Sequence, residues 1–98
     1  MILVIMYMKV SPTKRQELSQ TITSLLGPIR AEKGCGRCDF FHDMDDEYAL
    51  CLLQEWETRQ DLEAYRRSEC FKILRGAMNL LAEPCETISC DSLHSMGD

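Results

Sequence analysis

The first ten residues constrain the fold more than any other part of the chain. Residues 2–10 (ILVIMYMKV) are rich in β-branched and apolar types and are too short for a typical helix, so we predict a β-strand. Side chains alternate between the two faces of a strand, and here both faces are apolar. The two sets are Ile2, Val4, Met6, Met8 and Val10 on one face and Leu3, Ile5 and Tyr7 on the other. Such a strand needs cover on both sides of its sheet.

A long amphipathic helix is predicted next. Ser11-Pro12 favours a helix start, because Ser can cap a helix and Pro is tolerated at the first helical position. The apolar residues that follow at helical spacing are Leu18, Ile22, Leu25, Leu26 and Ile29. Gly27-Pro28 interrupts this stripe, so we expect a kink or a break there, and Gly34 ends the helix.

The middle of the chain has the pattern of a β-hairpin. Residues 37–43 and 48–56 are rich in strand-forming types, and residues 44–47 (MDDE) between them form an acidic segment typical of a turn. With this turn, His42 pairs opposite Ala49, on the face away from Trp56, unless a bulge reverses the face.

Two short helical segments and a last strand complete the pattern. Thr58 begins a sequence similar to a capping box, and Ser68 favours the start of a second segment, which Pro84 closes. Residues 85–90 then form a weak last strand, and a polar tail begins at about Ser92.

The order β-α-β-β-α-β predicts an α+β, ferredoxin-like fold, with an antiparallel sheet and its helices on one face. We expect a single domain over residues 1–98, because 98 residues leave room for one core. The uncovered face would expose more apolar surface than soluble monomers usually tolerate. A homodimer that joins two such faces into an α/β barrel is the simplest remedy, and an unrelated partner protein is the alternative.

Charge and hydropathy exclude several classes of partner. Eleven Lys and Arg against sixteen Asp and Glu give a net charge of −5, which argues against nucleic acid or an anionic membrane as partner. The longest apolar run, Met1–Met8, is too short to span a bilayer and has no features of a signal peptide. We therefore expect a cytoplasmic protein.

Six cysteines are many for such a chain. Without a secretion signal a disulfide framework is not expected, and the spacing of Cys85 and Cys90 is too wide for a tight zinc ligand pair. Cys35 and Cys38 form a CxxC pair, but they precede a strand rather than open a helix. We interpret the cysteines as small buried apolar residues and expect no metal, with a redox or metal role as the alternative.

Three stretches together resemble the antibiotic biosynthesis monooxygenase (ABM) family. Residues 55–71 (EWETRQDLEAYRRSECF) are similar to its E-W-x-[ST]-x-x-x-L-x-A-H-x-x-[ST]-x-x-[FM] segment. Residues 31–35 (AEKGC) match its x-E-x-G-C, and residues 81–86 (LAEPCE) match its L-x-x-P-x-x. These stretches span much of the chain in the family's order.

The resemblance implies a monooxygenase that needs no cofactor and has a pocket between sheet and helices. Its substrate would be a small quinol-like or polyphenolic aromatic compound that supplies its own electrons to O2. The alternative is a dimeric protein on the same scaffold that binds a small molecule without turnover. The ligand-sensing half of a transcription regulator is disfavoured, because the DNA-binding helices are missing.

The sequence departs from the family at two positions. Tyr65 stands where quinol-oxidising relatives carry His, and a phenol is a poorer base than imidazole at neutral pH. Arg75 aligns with the iron ligand of heme-degrading relatives, and Arg cannot ligate iron. Heme degradation is therefore disfavoured, and Tyr65 is expected to orient a substrate oxygen or to protonate a peroxide.

The candidate site residues follow from this comparison. Tyr65 is the polar anchor, and Asp39 or His42 is the candidate base. Asp39 and Phe41 are predicted on the Trp56 side of the sheet by strand alternation. The candidate substrate-binding residues are Trp56, Phe41, Leu52, Phe71 and Arg75. The competing interpretation is that the aromatic residues only pack in the core and that Arg75 lies on a solvated stripe of its helix.

Overall fold

The computed structural model describes residues 1–91 of the 98-residue chain. The predicted polar tail lies outside the described residues. The elements are β1 (Ile2–Lys9), α1 (Arg15–Arg30), β2 (Cys35–His42), β3 (Ala49–Trp56), α2 (Arg59–Arg66), α3 (Glu69–Ala77), a 3-10 turn (Met78–Leu80) and β4 (Glu86–Cys90).

The four strands form one antiparallel sheet in the order β2-β3-β1-β4. The first strand is therefore central, as its two apolar faces require. The helices lie on one face of this sheet, which confirms the predicted ferredoxin-like fold. No helix among residues 1–91 is long and apolar enough to cross a membrane.

The main core lies between the sheet and the helices. Alternate residues of β1 and β3 are buried there against the apolar stripes of the helices. The most deeply buried large side chains are Met8, Leu18, Ile22, Ile29, Leu52, Trp56, Leu62, Tyr65 and Leu74.

The long helix α1 differs from its prediction at its start and at Pro28. Ser11 does not cap it: the Lys14 N–H donates to the Ser11 carbonyl in a turn, and α1 begins at Arg15. The break expected at Pro28 is also absent, and α1 runs on to Arg30. The physical reason is tertiary, because Ile29 is fully buried and its burial holds the last turn against the sheet.

The two short helices begin at the predicted caps. The Thr58 hydroxyl accepts a hydrogen bond from the Asp61 N–H at 3.0 Å. The Ser68 hydroxyl accepts one from the Phe71 N–H at 3.2 Å. Each cap satisfies a backbone donor that has no partner within its own helix.

The hairpin register corrects the predicted faces of β2. Asp43 donates its N–H to the Ala49 carbonyl, so residues 44–48 form the loop, one residue more than predicted. His42 consequently pairs with Leu50, on the helix side, whereas Asp39 and Phe41 pair with alternate residues that face away from the helices. One extra loop residue is enough to exchange the two faces.

The sheet face opposite the helices has an apolar centre and is uncovered, as predicted. Its central rows contain Ile5 and Leu53, which are half-buried. Larger side chains around them are exposed, including Tyr7 at 47%, Phe41 at 43% and Ile88 at 52%. We call the surface formed by these five residues the open face.

Gly34 occupies a backbone position that favours glycine. Its φ is +84°, and an added Cβ would lie 2.2 Å from the Asp61 carboxylate. We expect Gly34→Ala to lower the free energy of unfolding by about 1–3 kcal/mol in urea denaturation. Gly76→Ala in α3 is the matched control, because an added Cβ there has no neighbour within 4 Å and the next residue is not proline. It should raise stability by about 0.5–1 kcal/mol, and equal effects of the two changes would contradict this interpretation.

Candidate active site

A polar side chain, Gln54, lies in the middle of the apolar core. It points from β3 toward the helices, between Leu52 and Trp56 along the strand, and is only 1% exposed. Burial of an amide in such a place is unfavourable unless its hydrogen bonds are satisfied. Gln54 was not among the site residues predicted from the sequence, although its position in the apolar phase of β3 was a signal.

Gln54 is the centre of a buried polar network. The Trp56 indole N–H donates to Gln54 Oε1 at 3.2 Å. Gln54 Nε2 donates to Tyr65 Oη at 3.1 Å and approaches Cys38 Sγ at 4.0 Å. We call these four residues the Gln54 network, and each is at most 2% exposed. Within residues 1–91, every buried side-chain nitrogen and oxygen atom has a hydrogen-bond partner.

Aromatic contacts extend this network toward the surface. The Trp56 and Tyr65 rings are stacked, with centroids 4.6 Å apart and an interplanar angle of 25°. Phe71 meets Tyr65 edge-on at 5.4 Å. Such pairs favour a fixed geometry in addition to burying apolar surface. The three side chains therefore form a continuous aromatic wall from β3 to α3.

Local structure fixes the position of each ring. Leu62 and Tyr65 are three residues apart on α2 and are both buried on its inner face. Thr58 caps this helix directly after Trp56 ends β3, so the strand and the helix are joined by a short connection. Ser68 starts α3 and presents Phe71 one turn later.

Burial raises the pKa of the Tyr65 hydroxyl to about 12. The hydrogen bond from Gln54 opposes this rise, but its effect is smaller than that of burial. Burial also raises the pKa of the Cys38 thiol to about 11. Both groups are therefore neutral at pH 7, and Tyr65 can donate a hydrogen bond but cannot serve as a general base.

Stability should fall in alkaline solution because of this burial. The unfolded phenol ionises near pH 10, whereas the folded one holds its proton to about 12. The stabilisation from Tyr65 is therefore complete below pH 10 and is lost as the pH rises toward 12, by about 2–3 kcal/mol. Urea denaturation at pH 8 to 11.5 should show this loss, and Tyr65→Phe should reduce its slope. An identical slope in both proteins would contradict the prediction.

The structure brings together part of the predicted set of site residues. Tyr65 contacts both Trp56 and Phe71, and Leu52 lies on the same face of the sheet, two residues from Gln54. Arg75 lies one turn after Phe71 on α3 and is exposed.

The two predicted bases lie elsewhere in the protomer. Asp39 is on the outer side of β2, where it pairs with Arg37 and with Arg30 at 3.4 Å. The hydrogen bond from Arg37 lowers the pKa of the Asp39 carboxyl, which weakens it as a base. His42 Nδ1 lies 2.8 Å from the Asp43 carbonyl. His42 is four residues along β2 from Cys38, or roughly 13 Å away. Neither residue joins the Gln54 network.

Phe41 and the four main pockets lie on the surface of the protomer. Phe41 lies on the open face and is not part of the aromatic wall. Across the described part of the chain, none of the four main surface pockets is lined by Trp56 or Tyr65. One pocket of about 360 Å³ has Phe71 in its wall, at the junction of α2 and α3. Phe71 therefore separates this pocket from the Gln54 network.

The cysteines form no evident metal site. All six thiols are free. Residues 1–91 contain no group of three or more His, Cys, Asp or Glu side chains that could hold a metal ion. Cys35 and Cys38 pair with Trp56 and Gln54 across the sheet, because a bulge at Gly36 brings both thiols to the helix side. The CxxC pair thus contributes to the core beside the Gln54 network.

The chain is similar to known proteins in sequence and in fold. YcnE of Bacillus subtilis, which bears the name "Putative monooxygenase YcnE", is 27% identical over 89 residues, covering 90% of this chain and 94% of its own. The solved structure of Rv0793 from Mycobacterium tuberculosis is 25% identical, with a TM-score of 0.89 and coverage of 98% of both chains. The solved structure named "Putative antibiotic biosynthesis monooxygenase from Nitrosomonas europaea" has the same fold at 22% identity. Its TM-score is 0.89, and the match covers 96% of this chain and 100% of that chain.

The sequence profile described as "Antibiotic biosynthesis monooxygenase" matches residues 1–75. This range contains β1 to β3, α2 and most of α3, and therefore the whole Gln54 network and Phe71. The chain belongs to the antibiotic biosynthesis monooxygenase family.

Proposed function

We propose that the protein is a cofactor-independent monooxygenase that acts on a small quinol-like or polyphenolic aromatic substrate. The Gln54 network is the observation that carries this proposal. It holds a neutral phenol O–H, fixed by a buried amide, against two aromatic rings in the interior of a fold of the monooxygenase family. A flat substrate that develops an oxyanion needs such an environment.

The aromatic wall and its neighbours Gln54 and Leu52 have distinct roles in this proposal. Gln54 Nε2 donates to Tyr65 Oη, so the Tyr65 proton remains available to a substrate oxygen. A hydrogen bond to the ionised form of the substrate lowers the pKa of the substrate hydroxyl. Trp56 and Phe71 bind the substrate ring, and Leu52 adds apolar surface below it. Asp39 and His42 lie apart from the network, so we assign the substrate proton to solvent rather than to either residue.

The substrate itself supplies the electrons. Its anion gives one electron to O2, and the resulting radical and superoxide combine to a hydroperoxide. Loss of water from the hydroperoxide leaves a carbonyl group. For a quinol with an open ring position, one oxygen atom of O2 enters the hydroxyquinone product and the other leaves as water. All four electrons come from the quinol, so no reductant is needed.

Access to the network requires movement of Phe71. This side chain is half-buried and lies between the pocket of about 360 Å³ and the Tyr65 ring. Rotation of an aromatic side chain at a helix surface is rapid compared with typical turnover. Phe71 would then close over the bound ring and exclude water from the oxyanion.

We also propose that two copies of the chain join through their open faces. Ile5, Tyr7, Phe41, Leu53 and Ile88 give this surface an apolar centre in a chain of net charge −5. Twofold symmetry makes one such patch complementary to its own copy. Two sheets packed in this way would form the α/β barrel predicted from the sequence.

The proposed location is the cytoplasm. All six cysteines are free thiols. Free thiols are typical of a reducing compartment.

Binding without turnover is the second candidate function. The raised pKa of Tyr65 and the filled space around Gln54 favour it, because both are compatible with a packed core that only opens to bind. Tyr65→Phe distinguishes the two functions. A catalytic hydroxyl predicts lost turnover with binding retained, whereas a binder has no turnover to lose.

Oxygen uptake with a menadiol-type quinol tests the proposal. Purified protein should exceed the autoxidation rate of the quinol in buffer, and Tyr65→Phe should lower kcat about 100-fold, as loss of an oxyanion donor does. Tyr48→Phe is the matched control, because Tyr48 lies in the hairpin loop and should leave the rate unchanged. If the wild-type protein adds nothing to the buffer rate across several quinols, the monooxygenase proposal is wrong.

A further inference from the structure

Four basic side chains surround one pocket in a chain that is acidic as a whole. The pocket has a volume of about 360 Å³ and lies where α2 ends and α3 begins. It is lined by Arg66, Arg67, Ser68, Phe71, Lys72 and Arg75. Four of the eleven Lys and Arg residues of the chain therefore lie around this single concavity, despite a net charge of −5.

The geometry of the two helices explains the cluster. Ser68, Phe71, Lys72 and Arg75 follow the spacing i, i+3, i+4 and i+7, so they share one face of α3. The end of α2 adds two consecutive arginines at the rim. Phe71 gives the pocket an apolar wall, and its ring meets Tyr65 edge-on at 5.4 Å.

The arginines of this pocket differ from three of the four other described arginines in their partners; the fourth, Arg15, donates to the Glu47 backbone carbonyl. Arg30, Arg37 and Arg59 are each within 4.0 Å of a carboxylate oxygen. Within residues 1–91, none of the three pocket arginines has a carboxylate that close. Lys72 approaches Glu69 at 3.8 Å, but both side chains are 78% exposed, so water and salt weaken that pair. The positive charge of the pocket is therefore largely uncompensated by the described residues.

We propose that this pocket binds the anionic group of an aromatic ligand, a carboxylate or a phosphate, while the ring of the ligand packs on Phe71. Guanidinium groups bind both anions through paired hydrogen bonds, and an aromatic wall favours a flat ligand. The proposal rests on the proposed function in one respect: the ligand is the substrate, held by its charge while Phe71 admits its ring to the Gln54 network. Within the proposed substrate class, it favours acidic quinols and phenols over neutral ones such as menadiol.

Calorimetric titration at low salt tests the site without any turnover. The probes are 2-naphthoate and 2-naphthyl phosphate, with neutral 2-naphthol as the comparison of equal ring size. We expect at least one anion to bind tenfold or more tightly than 2-naphthol, with an affinity that falls as salt is added. The two anionic probes distinguish a carboxylate site from a phosphate site.

Substitutions locate the binding on the protein. Arg75→Gln and the double change Arg66→Gln/Arg67→Gln should each weaken the anion about tenfold, as loss of a charge-assisted hydrogen bond does, and should leave 2-naphthol unchanged. Arg59→Gln removes the same charge outside the pocket and should have no effect. Equal affinity for anion and naphthol, or an equal loss with Arg59→Gln, would overturn the site. Tight anion binding without oxygen uptake from an anionic quinol supports the site and contradicts only the monooxygenase function.

Discussion

Gln54→Leu should lower the free energy of unfolding by about 3 kcal/mol, because it leaves two buried polar groups without a partner. Trp56 Nε1 donates to Gln54 at 3.2 Å, and Tyr65 Oη accepts from it at 3.1 Å. Both aromatic residues are at most 2% exposed, so water cannot replace the lost amide without opening the core. Urea denaturation at one fixed protein concentration measures the change.

A double-mutant cycle separates the hydrogen bond from the change of shape. Adding Tyr65→Phe to Gln54→Leu removes the stranded hydroxyl, so the double change should cost about 1 kcal/mol less than the sum of the single changes. Gln60→Leu, at an exposed position of α2, is the matched control and should stay within about 0.5 kcal/mol of the wild type. If Gln54→Leu lowers the free energy of unfolding no more than Gln60→Leu does, the network does not stabilise the fold.

Ile88→Asp should convert a dimer into monomers. Ile88 is 52% exposed on the open face, where it pairs with Ile5. The twofold axis would place two unpaired carboxylates in the interface, and burial of each costs several kcal/mol. The dissociation constant should therefore rise about 1,000-fold or more.

Light scattering coupled to size-exclusion chromatography reads this change directly. The wild-type protein should elute with twice the chain mass of 11.3 kDa, and Ile88→Asp with the single mass. Ile73→Asp is the matched control, because Ile73 is 47% exposed but lies on α3, on the other side of the sheet. A wild-type monomer at micromolar concentration would contradict the homodimer and favour the alternative of an unrelated partner.

Local signals explain why much of the fold could be predicted from the sequence. The caps at Thr58 and Ser68 depend on residues three positions apart, and the two-sided apolar pattern of residues 2–9 depends only on alternation. Signals of this kind are written in short stretches of sequence. These local signals predicted the order of strands and helices, and that order predicted the ferredoxin-like topology.

The failures came from long-range effects. The last turn of α1 continues past Pro28 because Ile29 is buried against the sheet, which no local rule shows. The faces of Asp39 and His42 depend on whether the loop holds four or five residues. In the five-residue loop Asp46 Oδ1 accepts a hydrogen bond from the Tyr48 N–H at 2.9 Å, a contact that no strand-alternation rule includes. An error of one residue in the loop length reversed the predicted faces of Asp39, Phe41 and His42.

The Gln54 network shows the same limit for the site. Trp56, Tyr65 and Phe71 were selected from their positions in the family segment, and the structure places them in contact. Gln54 was not selected, because one polar residue in an apolar strand has no partner visible in the sequence. Its partner Tyr65 is eleven residues away on another element, and only the fold brings the two together.

Isotope labelling tests the central claim most directly. Purified protein with a menadiol-type quinol under ¹⁸O2, with a chelator and without added flavin, should form a hydroxyquinone that carries one ¹⁸O atom, faster than buffer alone. Tyr65→Phe should slow this labelled product by about 100-fold. A product whose label and rate of formation are the same with and without protein would contradict the account.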